Sequence, residues 1–567
     1  MSVRTLNKVI AASFGLSLSL LAIAGPAPAQ RYVVQARDAG QAGGAVLRVG
    51  GVVVADLEVI NAVGAELSAA QAGELRGKSG LRLYADVAVK VSGTKTTTTS
   101  TTTTTTTEFT RTTSSDGQLS LAELQRSFMD GADYTHPALV GAPEVHKAGI
   151  TGKGVTVAVV DTGLWWEADT LLSKKPKFRF DTTNAPQADD PNGHGTHVSS
   201  IIGSNRLASN MVAEGIAPAA DIGAVRAFHY DGSSTYIDAI EAIDYVVKNK
   251  TAQNIRVLNL SFSAPPQSYY WDDPLNQAVM KAWQAGIVVV AAAGNDGPNP
   301  MTIGVPGNVP YIITVGAMSD SDTPTNGADD RLASFSSSGP TFEGFVKPEV
   351  VAPGGHITGS IPFDGWIPML HPDSMLDSER QFKMSGTSQA TAIVSGIVAL
   401  MLEKDPTLTP DAVKCRLMAS AKRSVDSKGA PAYTVFQQGA GLVNAPAAVA
   451  STATGCANQG LSIAKDLKGT VHYEGPANVD ALGNFFLQDA TGARLSDLGF
   501  TWNGAYAWGG GYAFTDGKLW SRTELWSSGR LWSRGQLWSR SVNWVEGQSY
   551  TSSTTAIKSI GQWVNHE

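Results

Sequence analysis

Asp161, His194 and Ser388 are a carboxylate, an imidazole and a hydroxyl, carried in that order by VAVVDTG, NGHGTHV and SGTSQATA. A neutral serine hydroxyl is a poor nucleophile until an adjacent imidazole removes its proton, and the imidazole needs an acid to orient it. The three residue types together define a set for acyl transfer. Asn295, where the apolar run VVVAAAGNDG ends, adds a side-chain amide of the kind an oxyanion hole uses. Such a donor stabilises the charge that develops on the former carbonyl oxygen more than it stabilises the ground state. The backbone N–H of Ser388, at the start of a helix, supplies a second donor where unpaired amides and the helix dipole favour an anion.

Each motif alone has a plainer reading. Asp-Thr-Gly also serves aspartic proteases, but their dyad shares a proton between two carboxylates, and this chain has no second DTG. His194 and His197, three apart on a helical face, could be half a metal site, yet no HExxH spacing or nearby acidic pair completes a zinc shell, so no metal ligand is assigned. GTSQA is compatible with an ordinary helix start, and Asn-Asp-Gly with a turn after a strand. The four motifs in one chain leave little room for chance.

The elements that must position these residues alternate β-branched strands with helices from Val155 to about Val449: VTVAVVD, a helix from Gly195, DIGAVRA, a helix over 236–247, then IRVLNLS. This pattern predicts an α/β fold, a doubly wound and mostly parallel sheet. Asp161 then stands at a strand's carboxyl end, where open α/β sheets bind ligands. Thr409-Pro410 opens a late helix running through Ala421, with a cap followed by proline at its first position.

The order Asp, His, Ser distinguishes the subtilisin arrangement from the α/β-hydrolases and from the chymotrypsin group. With TGKGVTVAVVDTG, GIAPAADIGAVRAF, VLNLSFS, ASFSSSGP, VKPEVVAPG and GAGLVNAPAAV, the chain resembles the subtilases, peptidase family S8, over a whole catalytic domain. The resemblance implies a serine endopeptidase with Ser388 as nucleophile, His194 as general base and acid, Asp161 as orienter and Asn295 in the oxyanion hole. It also implies that two segments pair with the substrate backbone as added strands. Residues 229–234, with Gly232, and Ser261, Phe262 and Ser263 are the candidates. Main-chain pairing tolerates many sequences and leaves selectivity to pockets. Structural calcium often accompanies the family, but no ligand set is readable here, and the chemistry requires no cofactor. Three departures stand out. Gln389, Ala392 and Ile393 replace the usual residues behind the nucleophile, Phe262 and Ser263 replace Leu and Gly, and Ile361 to Lys383 is longer than the family's usual run.

The ends add an itinerary. Arg4 and Lys8 precede an apolar run from Val9 to Ala24 and the small residues Ala27-Pro28-Ala29, the pattern of a secretory signal peptide over 1–29. The run is too short to span a membrane, and no transmembrane segment is expected. Cys415 and Cys456, the two cysteines, suit export as a disulfide; two buried thiols are the alternative. Residues 30–91 alternate short strands with turns and a helix start near Ser68, and resemble the family's inhibitor propeptide, whose last strand would fill the cleft. Residues 92–115 are nearly pure Thr and cannot bury a core, which makes them a linker within or after which maturation would fall, or an O-modified spacer that stays attached. The catalytic domain is expected over 130–455.

A tail over 456–567 carries Trp502, Trp508, Phe514, Trp520, Trp526, Trp532, Trp538 and Trp544 at a six-residue period. An even period keeps the aromatics on one face of a strand, so a β-rich module is expected. It is either packed as a small core or presented as a stacking surface for polysaccharide or cell envelope. The net charge of −7 argues against nucleic acid. The expected partners are protein or peptide substrates and the chain's own propeptide. The competing readings are a catalytically silent scaffold that binds through its tryptophans, and an esterase using the same groups.

Overall fold

The computed structural model describes residues 29–90, 135–166, 175–183, 189–207, 212–320, 330–376, 380–425, 431–479, 485–488 and 494–495. The expected signal peptide, the Thr-rich linker and the Trp repeats lie outside the described residues.

Strand β1 (Gln30–Gln35), helix α1 (Ala39–Arg48), β2 (Val52–Leu57), β3 (Ala62–Leu67), helix α2 (Ala69–Arg76) and β4 (Arg82–Ala85) make a small αβ unit whose antiparallel sheet runs β2-β3-β1-β4. Alternation along β1 divides its side chains between two faces. Tyr32 and Val34 join Val46, Val63 and Leu75 in the unit's own core, whereas Val33, with Leu57 and Ile60, is buried in the core of the larger body. Ser68 and Gln71 form a reciprocal capping box at the start of α2. The next strand, β5 (Ala88–Lys90), leaves this sheet and pairs elsewhere.

Two short helices, α3 (Thr135–Leu139) and α4 (Ala142–Lys147), lead into β6 (Thr156–Asp161), β7 (Phe178–Asp181), helix α5 (His194–Gly203), β8 (Asp221–Arg226), β9 (Ser233–Thr235), helix α6 (Tyr236–Asn249), β10 (Ile255–Leu260), helix α7 (Pro274–Gln284), β11 (Val288–Ala292), β12 (Ile313–Ser319), β13 (Arg331–Leu332) and β14 (Val350–Pro353). The sheet runs β13-β12-β11-β10-β6-β8-β7, with β14 beside β12; every pair is parallel except β12 with β13. Buried strands such as β6 and β11 read as continuous apolar runs because parallel sheets are covered on both faces. A hairpin of β15 (Ile357–Ser360) and β16 (Gln381–Met384) carries the short helix α8 (Trp366–Leu370) near its tip, then runs into helix α9 (Thr387–Lys404). Helix α9 lies along β10, β11, β12 and β14 and is buried all round to Leu402, as a helix apolar on every side must be. Helix α10 (Pro410–Ser420) follows with Thr409 as its cap.

The division at 455/456 is not where the structure divides. Cys456 is joined to Cys415, and Tyr473, Ala477 and Leu487 belong to the same core as the central sheet. Asp466 accepts hydrogen bonds from the hydroxyls of Tyr270 (2.7 Å) and Tyr311 (2.6 Å). A small sheet of β17 (Ala477–Val479), β18 (Phe485–Gln488) and β19 (Arg494–Leu495) follows. The contacts of Cys456, Asp466, Tyr473, Ala477 and Leu487 make the described residues 456–479 and 485–488 part of the body rather than of a separate tail.

Candidate active site

Asp161 is the last residue of β6, the strand between β10 and β8, and it is fully buried. Its Oδ1 accepts from the Thr162 N–H (2.8 Å) and lies 2.7 Å from His194 Nδ1. Burial pushes the carboxyl up from its ordinary range, and the imidazole opposes that shift. With Nδ1–H given to Asp161, Nε2 is the basic nitrogen of the ring, and it has no hydrogen-bond partner among the described residues.

His194 opens α5, one residue before the expected start, and the chain reaches it through Gly193 in the left-handed region at φ 104°. Asp190 holds this turn together. One carboxylate oxygen accepts from Thr162 Oγ1 (2.7 Å) and the Gly193 N–H (2.8 Å), and the other from the Thr196 N–H (2.7 Å). An anion at a helix start satisfies open amides and meets the favourable end of the helix dipole. Thr162 Oγ1 in turn accepts from the Gly195 N–H at 2.9 Å. A Cβ on Gly195 would overlap the Gly163 carbonyl oxygen, so the acid's loop and the base's helix can approach only at a glycine. Sequence reasoning missed Asp190. Its signal was an acid four residues before His194 at a helix start.

Ser388 is the second residue of α9 and is fully buried. Its Oγ donates to the Ser261 carbonyl oxygen (3.0 Å), and Ser261 Oγ donates back to the Ser388 carbonyl oxygen (3.1 Å). The hydroxyl therefore rests on the end of β10 rather than on the imidazole. Asn259 steadies Ser261 from below, donating Nδ2 to its Oγ at 2.9 Å. Asn295 lies across from the nucleophile's helix. Its Oδ1 accepts from the Thr387 N–H (3.1 Å) and Thr387 Oγ1 (2.8 Å), which commits the oxygen and leaves the Nδ2 end of the amide as the donor.

The expected site residues separate into two groups. Asp161 is brought onto His194, and Ser388 onto Ser261 with Asn295 against Thr387; the two helices that carry these sets touch where Gln389 Nε2 reaches His197 Nδ1 at 3.4 Å. Phe262 is fully buried against Phe228, with ring centroids 5.1 Å apart, and Ser263 lies against Gly294 and Gly304. Gly232 is in the turn before β9, at φ 74°, and the strand that pairs is Ser233–Thr235. Its partner is β5, antiparallel, with Ala88 opposite Thr235 and Lys90 opposite Ser233. Cys415 and Cys456 form a disulfide. Among the described residues no group of three His, Cys, Asp or Glu is placed to hold a metal ion, and no helix is long and apolar enough to cross a membrane.

The buried pair of Asp161 and His194 and the buried start of α9, where Asn295 meets Thr387 beside Ser388, are the features that the comparisons bear on. The model of the subtilase family matches residues 152–441, and the chain belongs to that family of serine endopeptidases. It is similar to the serine protease AprX of Bacillus subtilis (strain 168), 41% identical over 280 residues, 48% of this chain and 63% of AprX. It is also similar to Subtilisin DY of Bacillus licheniformis, 32% identical over 312 residues, 55% of this chain and 96% of that protein. A subtilisin of Bacillus pumilus is 34% identical over 312 residues, again with 96% of the relative covered. The chain thus spans 63% of the length of AprX and nearly all of the shorter subtilisins.

Proposed function

We propose that the chain is an exported, self-maturing serine endopeptidase that cleaves peptide bonds through an acyl-enzyme. The 2.7 Å contact of His194 Nδ1 with Asp161 carries this reading, because it fixes the tautomer in which Nε2 accepts a proton. Rotation of Ser388 about χ1 takes its hydroxyl from the Ser261 carbonyl to Nε2. His194 then removes the proton as Oγ bonds to the substrate carbonyl carbon, and the negative oxygen is met by Asn295 Nδ2 and the Ser388 N–H. His194 returns the proton to the amine as the C–N bond breaks, and a water molecule, deprotonated the same way, releases the acid.

Residues 30–91 act as a propeptide in this reading. The pairing of β5 on β9 supports it, since an extended chain on that edge occupies the place of a substrate strand. Export is supported by the amino-terminal signal pattern, and the disulfide suits an oxidising compartment.

The test is intact mass and amino-terminal sequencing of wild type beside Ser388→Ala, both expressed with residues 1–567. Wild type is expected to lose everything up to about the Thr-rich stretch while the variant keeps residues 30–115. Two full-length products would sink the self-processing reading.

A further inference from the structure

Ten large apolar side chains stand exposed among the described residues, and five of them, Tyr230, Phe363, Met369, Leu370 and Leu376, gather on the tip of the β15–β16 hairpin and the turn beside it. Phe363 and Met369 are 60% and 62% exposed. Single exposed apolar residues need no explanation, but a contiguous group beside a catalytic cleft is the mark of a binding surface.

The tip is a built platform. Ile361, Ile367, Phe382 and Met384 form a small core of their own beneath it. The Trp366 and Ile367 N–H groups donate to the Pro191 and Asn192 carbonyl oxygens at 2.9 and 3.0 Å, which anchors α8 on the turn before His194. The Trp366 ring meets Tyr230 edge to face at 5.3 Å, and the Tyr230 carbonyl oxygen accepts from Asn192 Nδ2 at 2.8 Å. The hairpin's second strand leads directly into Ser388. The apolar tip therefore borders the turn that leads into His194, while the opposite end of the hairpin, where Ile357 pairs with Met384, runs on to Ser388. The register on β9 makes a bound strand run from Thr235 toward Ser233, in the direction of Gly232 and Tyr230, so the platform continues the edge that β5 occupies.

We infer that this hairpin tip is a substrate-docking ledge that takes a bulky apolar side chain of an extended, unfolded polypeptide, at a fixed distance from the scissile bond and outside the residues that pair with β9. The inference rests on the endopeptidase reading above. An apolar surface gains by covering apolar area, and an unfolded chain offers the large apolar side chains that a folded chain mostly buries. Main-chain pairing on β9 is indifferent to sequence, and the ledge adds the selectivity that pairing lacks.

Mature wild type and the triple variant Phe363→Ser, Met369→Ser, Leu370→Ser are compared on twelve-residue peptides that differ by one Leu or Ser, scanned through positions flanking the scissile bond. At one position wild type is expected to favour Leu by about tenfold in kcat/KM, the lower range for an apolar side chain in an apolar site. In the variant that ratio is expected to fall to about twofold or less. Sequencing of wild-type digests of a reduced, denatured protein gives an independent readout should the variant fold poorly, with large apolar residues enriched at the same position. No preference at any flanking position, or a preference that survives the triple substitution, overturns the ledge. So does a wild type that sediments as a dimer while the variant is a monomer, because a second copy is then the occupant. Failure of wild type to cleave any peptide faster than Ser388→Ala would instead show that the endopeptidase reading itself had failed.

Discussion

Gln389, the residue after the nucleophile, shows how a polar side chain is accommodated where the family carries an apolar one. Its Nε2 donates to Met384 Sδ at 3.1 Å and reaches His197 Nδ1 at 3.4 Å. Burial pushes His197 down to about 3, so its ring is neutral in ordinary buffers. Nε2–H of His197 goes to the Phe382 carbonyl oxygen at 3.1 Å, which leaves Nδ1 as the acceptor that Gln389 meets. Gln389 Oε1 is buried without a partner among the described residues. Gln389→Met removes that oxygen along with the donor and is expected to cost less than about 1 kcal/mol. His197→Phe strands the amide and is expected to cost about 1 to 3 kcal/mol. The double variant should fall short of the sum by about 1 kcal/mol in urea unfolding on the Ser388→Ala background, whereas additivity would show that the two side chains do not communicate. The sequence singles out Asp161, His194, Ser388 and Asn295 because each sits in a local motif. It could not show Ser388 resting on Ser261, since that bond joins residues 127 apart.

At the scale of elements, the amino-terminal αβ unit grips α6 through an acid-rich seam. Asp86 accepts from the Ile237 N–H at 3.0 Å, Asp244 accepts from the Val59 N–H at 2.7 Å, and Arg31 lies 3.4 Å from both Asp86 and Asp238. Lys248 bridges Glu58 (3.0 Å) and Asp244 (2.7 Å). Burial pushes Asp86 up to about 6. Burial, then Asp238, Asp244 and Asp56, push Glu241 up to about 7, with Arg31 opposing. Asp86, which docking buries, therefore holds in the docked state a proton that the separated unit releases nearer its ordinary carboxylate value, whereas Asp238 and Asp244 share α6 with Glu241 and act on it in either state. Docking is favoured in acid and weakens as pH rises through about 6. Lys248, whose value is raised, stays charged throughout this window and does not alter the sign. Glu241 is only partly buried, so solvent screening reduces the effect. Release of the unit from Ser388→Ala protein nicked in the Thr-rich stretch, followed by gel filtration, is expected to be about tenfold more extensive at pH 8 than at pH 5. A release constant that is flat or falls with pH would refute the seam's role.

Over the whole molecule, the α/β alternation was readable because buried parallel strands and amphipathic helices differ in period. The end of the catalytic body was not readable. The sequence of 456–488 has no period that distinguishes it from a tail, and its described residues are held by long-range partners: Asp466 under Tyr270 and Tyr311, Leu487 in the central core, and Cys456 on Cys415. The disulfide closes a loop of 41 residues between α10 and this annexed segment. Chain entropy gives such a closure about 4 kcal/mol by restricting the unfolded state. The paired sulfurs are buried in a small cluster of their own with Ala457. Cys415→Ser with Cys456→Ser is therefore expected to lower the unfolding free energy by about 3 to 4 kcal/mol in urea while leaving self-processing at low temperature intact. An unchanged midpoint would mean that the segment from Cys456 to Val479 is held by packing alone. Loss of processing in a folded double variant would mean that the annexed segment reaches the site by a route absent from these contacts.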